Sequence, residues 1–166
     1  MTLRIALISV LTILAHAASS QIAGIKLGSA GFDRTQPVEI TADALFLDQE
    51  SGSATFDGNV LVVQDTLRLS AGQVLVEYSD DGGEASGIAR LLASGGVTFV
   101  TSDEAVEARE AAYSVEGAEL QFSGDVLLTQ GPNSISGDRL TINLEAGSGR
   151  MEGNVRTIFS PQGRSQ

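Results

Sequence analysis

Cysteine and tryptophan are absent from this 166-residue chain, and histidine occurs once, at His16. Without cysteine there is no disulfide, no thiol nucleophile and no thiolate ligand for zinc. A lone histidine near the N-terminus also excludes zinc sites built from several histidines, and it argues against Ser-His-Asp hydrolysis. The composition therefore excludes cysteine-based catalysis and zinc sites built from cysteine or several histidines, and it disfavours a Ser-His-Asp hydrolase.

Lysine is nearly as scarce, because Lys26 is the only one in the chain. The sequence has 10 basic and 21 acidic residues and a formal net charge of −11. An acidic surface repels the phosphates of nucleic acids and anionic bilayers, and no stretch of the chain clusters lysine or arginine. We therefore expect no nucleic acid partner.

Long apolar runs are also missing, since none has the roughly 20 residues needed to span a bilayer. The longest run, Ile5–Leu14, follows Arg4 and precedes Ala15-His16-Ala17, an Ala-x-Ala cleavage site. This order is typical of a secretory signal peptide, with an uncleaved anchor as the alternative. Removal of residues 1–17 would leave 149 residues with a net charge of −12.

The chain does contain an internal repeat. The pattern apolar-x-Gly-x-Val occurs four times, and its central glycines are 37, 29 and 29 residues apart. A second pattern precedes each one and consists of an apolar residue, a small residue and usually an acid. The first pattern is centred on Gly58, Gly95, Gly124 and Gly153, and the second spans Ile40–Leu45, Leu69–Val74, Val106–Ala111 and Ile135–Leu140. Such self-similarity indicates two-strand units that stack on one another to bury their apolar faces.

Apolar residues alternate along both segments of every unit, which is typical of β-strands with one buried face. The alternation slips once in each first strand, for example between Ala71 and Val74, and such a step indicates a β-bulge or corner. A strand with a corner can cross between two facing sheets. We predict an all-β fold, a twisted, open-ended β-jelly roll built from four two-strand units. The repeat also predicts strand for Glu104–Ala112, whose composition alone favours a helix.

The predicted organisation has four segments: a signal peptide at 1–17, an irregular leader at 18–35, the β-jelly roll domain at 36–159 and a disordered tail at 160–166. The extra length of the second unit falls in the polar loop Ser79–Gly87. The carboxylates of this loop match no calcium-binding pattern. We therefore expect no metal and no cofactor.

Three stretches of the repeat resemble the LptA/OstA family of periplasmic lipopolysaccharide export proteins: Gln36–Asp43, Phe56–Gln64 and Asn133–Leu140. The likeness covers about residues 36–159. It implies a periplasmic β-jelly roll whose interior takes the acyl chains of lipopolysaccharide. It also implies head-to-tail association of copies into a bridge from inner-membrane LptC to the outer-membrane LptD/LptE translocon. LptC and the periplasmic part of LptD share the fold, and the cleavable signal and the lack of a barrel region favour the soluble bridge.

Two groups of residues are candidates for function under this interpretation. Inward apolar residues would line the lipid site, although ordinary core is the alternative at each position; they are Leu45, Phe56, Val60, Leu69, Val74, Val76, Phe99, Tyr113, Phe122, Val126, Leu140 and Ile142. Residues of the first and last strands would form the edges at which copies join; they are Val38, Ile40 and Ala42 at one end and Val155, Thr157 and Phe159 at the other.

Two other classes of function remain as alternatives. A self-associating β-solenoid scaffold without a lipid ligand would show the same repeat. An enzyme with a carboxylate pair such as Asp43 and Asp138 is disfavoured, because an acid that recurs at equivalent repeat positions indicates a structural role, whereas catalysis needs one asymmetric site. We therefore expect no catalytic residues.

Overall fold

The computed structural model describes residues 36–79 and 87–160. The predicted signal peptide, the leader at 18–35, most of the loop at 79–87 and the last six residues lie outside this range, so the expectations about them stay predictions. Within the described range, no helix is long and apolar enough to cross a membrane.

The described residues form twelve strands and no helix, and every strand pairing is antiparallel. This confirms the all-β prediction, including strand rather than helix at 104–112. The strands are β1 (Glu39–Thr41), β2 (Ala44–Asp48), β3 (Ser53–Gln64), β4 (Leu67–Tyr78), β5 (Ile88–Ser94), β6 (Val97–Val100), β7 (Glu104–Ala108), β8 (Glu110–Ser114), β9 (Glu119–Gln130), β10 (Asn133–Asn143), β11 (Ser148–Glu152) and β12 (Arg156–Ile158).

Four long strands, β3, β4, β9 and β10, run through the whole sheet, while the other strands each cover half of it. The pairings therefore define two halves. The front half has the order β2-β3-β4-β5-β8-β9-β10-β11, and the back half has the order β1-β3-β4-β6-β7-β9-β10-β12. Every repeat unit contributes one continuous strand and one strand that is interrupted at the boundary between the halves.

The boundary is a corner made by the glycines of the repeat. Asp57 pairs with Gln73 and Val60 pairs with Ala71, so Gly58 and Asn59 face a single residue of β4. This is a β-bulge. Its extra residue lies in β3, the second strand of the first unit, and it faces β4, the first strand of the next unit, in which the apolar alternation slips. Gly58 and Asn59 have φ of 78° and 47°, a left-handed conformation that glycine adopts freely and asparagine tolerates.

Side chains fasten the same corner in successive units. Asn59 Nδ2 donates to Asp43 Oδ2 at 2.6 Å, and the amide of Asp43 donates to the carbonyl of Gly58 at 2.9 Å. Asn154 and Asp138 repeat the side-chain contact at 3.0 Å. In the third unit an ion pair between Arg109 and Asp125 takes this place, and in the second unit Gly72 packs directly against Gly95. Asp43 and Asp138 thus each hold a separate corner, and they do not meet as the pair that a carboxylate enzyme would need.

The two halves face each other across a shared apolar core. Phe99 of the back half and Phe122 of the front half make an edge-to-face ring contact with centroids 5.6 Å apart. The largest fully buried side chains come from both sides of the corner: Phe122, Leu140, Val60, Val74, Val76, Val97, Val106 and Val126. The arrangement confirms the predicted open-ended jelly roll, in which hydrophobic burial holds the halves together.

Removing the Phe122 ring should destabilise the protein strongly. This side chain is 0% exposed, and truncation of a buried aromatic ring typically costs about 3–5 kcal/mol. We expect Phe122→Ala to lower the free energy of unfolding by this amount in urea titrations followed by circular dichroism. Leu127→Ala, on the outer face of the same strand, is the control and should change it by less than about 0.5 kcal/mol. Equal losses in the two variants would contradict the position of Phe122 between the halves.

Alanine should be tolerated less well at Gly58 than at Gly52. Both glycines have positive φ, 78° and 60°, so alanine adds backbone strain of roughly 1–2 kcal/mol at either position. A Cβ at Gly58 would also lie 2.6 Å from Asp43 Oδ2, whereas a Cβ at Gly52 meets nothing within 4 Å. We therefore expect Gly58→Ala to show the lower midpoint of thermal unfolding. Identical midpoints would show that the corner relaxes around the added methyl group.

Candidate functional site

A cavity of about 660 Å³ lies between the two halves of the sheet. This volume falls within the range of about 300–1,000 Å³ that is usual for small-molecule pockets. Its walls come from both halves and are mostly aliphatic or aromatic: Val74, Leu91, Ala93, Ala111, Tyr113 and Leu120 in the front half, and Val62, Leu69 and Phe99 in the back half. The cavity is thus a gap within the shared core.

The cavity opens on the side opposite the corner. The remaining lining residues stand at the strand ends farthest from the corner glycines: Val38, Gln64, Leu67 and Thr101 in the back half, and Gly87, Ile88, Val115 and Leu144 in the front half. Val38 and Val115 are 39% and 40% exposed, so the lining reaches solvent here. We call this opening the mouth.

Small side chains account for the position of the cavity. Ala93 of β5 and Ala111 of β8 are directly paired in the front half, and both line the cavity. The next strands carry larger side chains, such as Phe122, which pairs with Ala111, and Leu140, which pairs with Phe122. Because alanine leaves space that leucine or phenylalanine would fill, the core is open near β5 and β8 and closed near β9 and β10.

The structure divides the residues that the sequence proposed for the lining. Leu69, Val74, Phe99 and Tyr113 do line the cavity. The other buried or partly buried candidates belong to the packed core: Phe56, Val60, Val76, Phe122, Val126, Leu140 and Ile142. Leu45 is 51% exposed, because it lies on β2 at the open end of the stack.

Several lining residues were absent from the proposed set, among them Leu67, Leu91, Ala93 and Leu120. They obey the same alternation as the proposed residues, and alternation marks an inward side chain without saying how much space lies beside it. The small residues Ala93 and Ala111 are the sequence signal from which a gap in the core could be predicted, because they lie in paired strands of the second and third units.

No charged side chain lines the cavity among the described residues. Two polar side chains of the lining, Gln64 and Thr101, are at the mouth. Gln64 Nε2 donates to the carbonyl of Gln36 at 2.8 Å. Thr101 Oγ1 accepts from the backbone amide of Glu104 at 3.2 Å. Tyr113 adds a phenol hydroxyl to the lining. Because the lining is otherwise mostly apolar and uncharged over these residues, the cavity is suited to an apolar guest rather than to a charged one.

Four strands lie at the edges of the sheet, because β1, β2, β11 and β12 each pair with a single strand among the described residues. The proposed edge residues flank or belong to β1 and β12: Val38, Ile40 and Ala42, and Val155, Thr157 and Phe159. The structure adds β2 and β11 as edges of the front half. On β2, the consecutive side chains Leu45, Phe46 and Leu47 are 51%, 61% and 71% exposed, which is unusual for an edge strand without a partner.

Residues 39–148 match the model of the LptA/(LptD N-terminal domain) family of LPS transport proteins. The chain belongs to this family. The match includes strands from both halves of the sheet and all four of the long ones, so it confirms the resemblance that the repeat phrases carried.

Individual relatives agree with the family. The chain is 28% identical to an uncharacterised protein of Rhizobium meliloti over 91% of this chain and 83% of that protein. It is 29% identical to the lipopolysaccharide export system protein LptA of Escherichia coli K12 over 66% of this chain and 60% of that protein. The chain thus aligns with somewhat less than two thirds of the length of this LptA.

A solved structure supports the fold. The chain superposes on LptH of Pseudomonas aeruginosa, the LptA-homologous periplasmic component of a lipopolysaccharide transport device, with a TM-score of 0.69. The superposition covers 78% of this chain and 99% of LptH at 16% sequence identity. At this identity the likeness establishes the shared β-jelly roll and nothing more specific.

Proposed function

We propose that this protein is a periplasmic, non-enzymatic lipid carrier that shields the acyl chains of lipopolysaccharide on their way from the inner to the outer membrane. The observation that carries the proposal is the uncharged cavity of about 660 Å³ with a mouth on one side. Membership in a family of LPS transport proteins supports lipopolysaccharide as the lipid. LptH, which shares the fold, is a periplasmic component of such a device.

The physical task of a carrier is to keep acyl chains out of water. An acyl chain of about a dozen methylenes costs on the order of 10 kcal/mol to expose, because each methylene contributes about 0.8 kcal/mol. The mostly apolar walls formed by residues such as Leu69, Leu91 and Phe99 offer acyl chains an alternative to water between the two halves of the sheet. A mouth that runs along the strand ends would let the headgroup stay in solvent while the chains lie inside.

End-to-end assembly of copies would extend this shelter across the periplasm. The free edges β1 and β2 lie at one end of the stack, and β11 and β12 lie at the other. About five backbone hydrogen bonds at about 1 kcal/mol each, reduced by the cost of association, give reversible joining in the micromolar to millimolar range. Inner-membrane LptC and the outer-membrane LptD/LptE translocon are the partners proposed for the two ends of such a bridge.

Photocrosslinking in living cells tests the lipid. A photoreactive residue in place of Leu69 or Tyr113, which line the cavity, should form adducts with lipopolysaccharide. The same residue at Leu127, on the outer face of β9, should form none and is the control. Crosslinks to protein at Phe159 without any lipid adduct at Leu69 or Tyr113 would favour a lipid-free scaffold instead.

A charge at the open end should weaken self-association without unfolding the protein. Leu47 is 71% exposed and lies on edge strand β2, so Leu47→Lys places an ammonium group where a second copy would pack. We expect at least about a tenfold increase in the dissociation constant of self-association, which corresponds to a loss of about 1.4 kcal/mol in association free energy. Analytical ultracentrifugation over a concentration series would measure it.

The control for this substitution is Val100→Lys. Val100 is 38% exposed, but β6 is flanked by β4 and β7 and has no free edge. The Val100→Lys substitution should therefore leave the dissociation constant of self-association unchanged. If Leu47→Lys and Val100→Lys associate as the unmodified protein does, the β2 edge is not part of the contact.

A further inference from the structure

We propose that copies of this protein join in one register, in which the last strands of one copy meet the first strands of the next as consecutive repeat units meet inside a single chain. In this register Met151 pairs with Leu45 of the next copy. The inference rests on the end-to-end assembly proposed above, and it adds the register and the direction of the joint. It is carried by the strand pairings between units, which recur three times in the structure.

The interface between consecutive units has the same register each time it occurs. The residue two positions before each corner glycine pairs with an inward residue of the next unit's first strand: Phe56 with Val74, Ala93 with Ala111, and Phe122 with Leu140. The residue four positions after each glycine pairs beyond the corner in the same way: Val62 with Leu69, Phe99 with Val106, and Leu128 with Ile135. The chain thus contains three copies of one unit-to-unit interface.

The outermost strands are the equivalents that lack such a neighbour among the described residues, β1 and β2 at one end and β11 and β12 at the other. Met151 lies two positions before Gly153, and Leu45 has the place in its unit that Leu140 has in the last one. The same register therefore sets Met151 opposite Leu45, and Thr157 opposite Ile40, of the next copy. Strands β2 and β11 run in opposite directions, because the eight strands of the front half alternate, so the joint is antiparallel like every pairing within the chain.

The joint would bury apolar side chains that a single copy exposes. Leu45 pairs with Phe56 and Leu47 pairs with Ala54, so both leucines continue the inward rows of the front half. They are nevertheless 51% and 71% exposed. In the proposed register Leu47 lies opposite Gly149 of the preceding copy, which has no side chain to compete for the space. A slip of one residue would turn both leucines away from the core.

Charge favours the joining of unlike ends. Residues 36–52, at the N-terminal end of the stack, include four acidic and no basic residues, whereas residues 148–160, at the C-terminal end, include two arginines and one acid. On the outer face of the joint, Arg156 lies diagonal to Glu39 of the next copy, and Arg150 lies opposite its Phe46. Two N-terminal ends would instead bring carboxylates together, so the joint has one direction.

The absence of cysteine from the chain makes disulfide crosslinking a direct test of the register. Phe46→Cys with Arg150→Cys places thiols on directly opposite residues of the joint, at the Cα separation of about 4.5–5.5 Å that a disulfide accepts. Within one copy these positions are seven strand spacings apart, roughly 34 Å, so the bond forms only between copies. Oxidation of the purified protein should give a ladder of dimers, trimers and longer chains on non-reducing gels.

Two matched variants move the second cysteine by two residues on the same face of β11: Phe46→Cys with Ser148→Cys, and Phe46→Cys with Glu152→Cys. Diagonal positions are about 7–8 Å apart, so both should crosslink at least about tenfold more slowly. All four positions are exposed, so the variants should fold. A faster ladder from either matched variant would overturn the register and leave end-to-end assembly standing.

The single variant Phe46→Cys tests the direction of the joint. Dimers that form as fast as the in-register ladder would show that two N-terminal ends meet, which overturns the inference. Absence of crosslinks in every variant would overturn end-to-end assembly itself. The lipid function would be unaffected by that outcome, because adducts at Leu69 and Tyr113 test it separately.

Charge exchange tests the electrostatic contact. Arg156→Glu should raise the dissociation constant of self-association about threefold at about 20 mM salt, and by less at about 300 mM, because salt screens exposed charges. Adding Glu39→Arg to this variant should restore it. Arg68→Glu makes the same change of net charge on β4, which is paired on both sides, and should have no effect. Equal weakening by Arg68→Glu, or no restoration in the double variant, would overturn the contact between Arg156 and Glu39.

Discussion

The corner at the repeat glycines is the constraint on which the rest of the structure depends. At Gly58 and Asn59 an extra residue in left-handed conformation turns β3 from the front half of the sheet into the back half. Without such turns the long strands would continue into one flat sheet with an exposed apolar face. Because the four units place their corners in line, the halves face each other along the whole stack, and the core between them follows.

The cavity is a consequence of how that core is filled. Both halves present inward apolar side chains, and their packing is tight where phenylalanine and leucine meet, as around Phe122 and Leu140. Where Ala93 lies beside Ala111 the space is left open. A gap with mostly apolar walls is less costly to leave empty than one lined by many polar groups without hydrogen-bond partners.

The ends of the stack and the mouth of the cavity carry different chemistry, which suits different contacts. Strand β2 exposes the apolar side chains Leu45, Phe46 and Leu47 beside unpaired backbone, and this combination favours another strand. The mouth instead carries carboxylates such as Glu116 and Glu145 on its turns. The protein contacts proposed for the ends and the lipid contacts proposed for the side would therefore use different surfaces.

The sequence by itself determined the class of fold, the repeat unit, the inward side chains and the family, because alternation and the spacing of glycines are local properties that the chain displays directly. Tertiary structure alone decided which inward residues line space and which fill it. Phe122 and Tyr113 show the same alternation, yet Phe122 meets Phe99 in the core and Tyr113 borders the cavity. The difference depends on the size of side chains from distant units that face each other across the core, and such pairings arise only when the corners bring the two halves together.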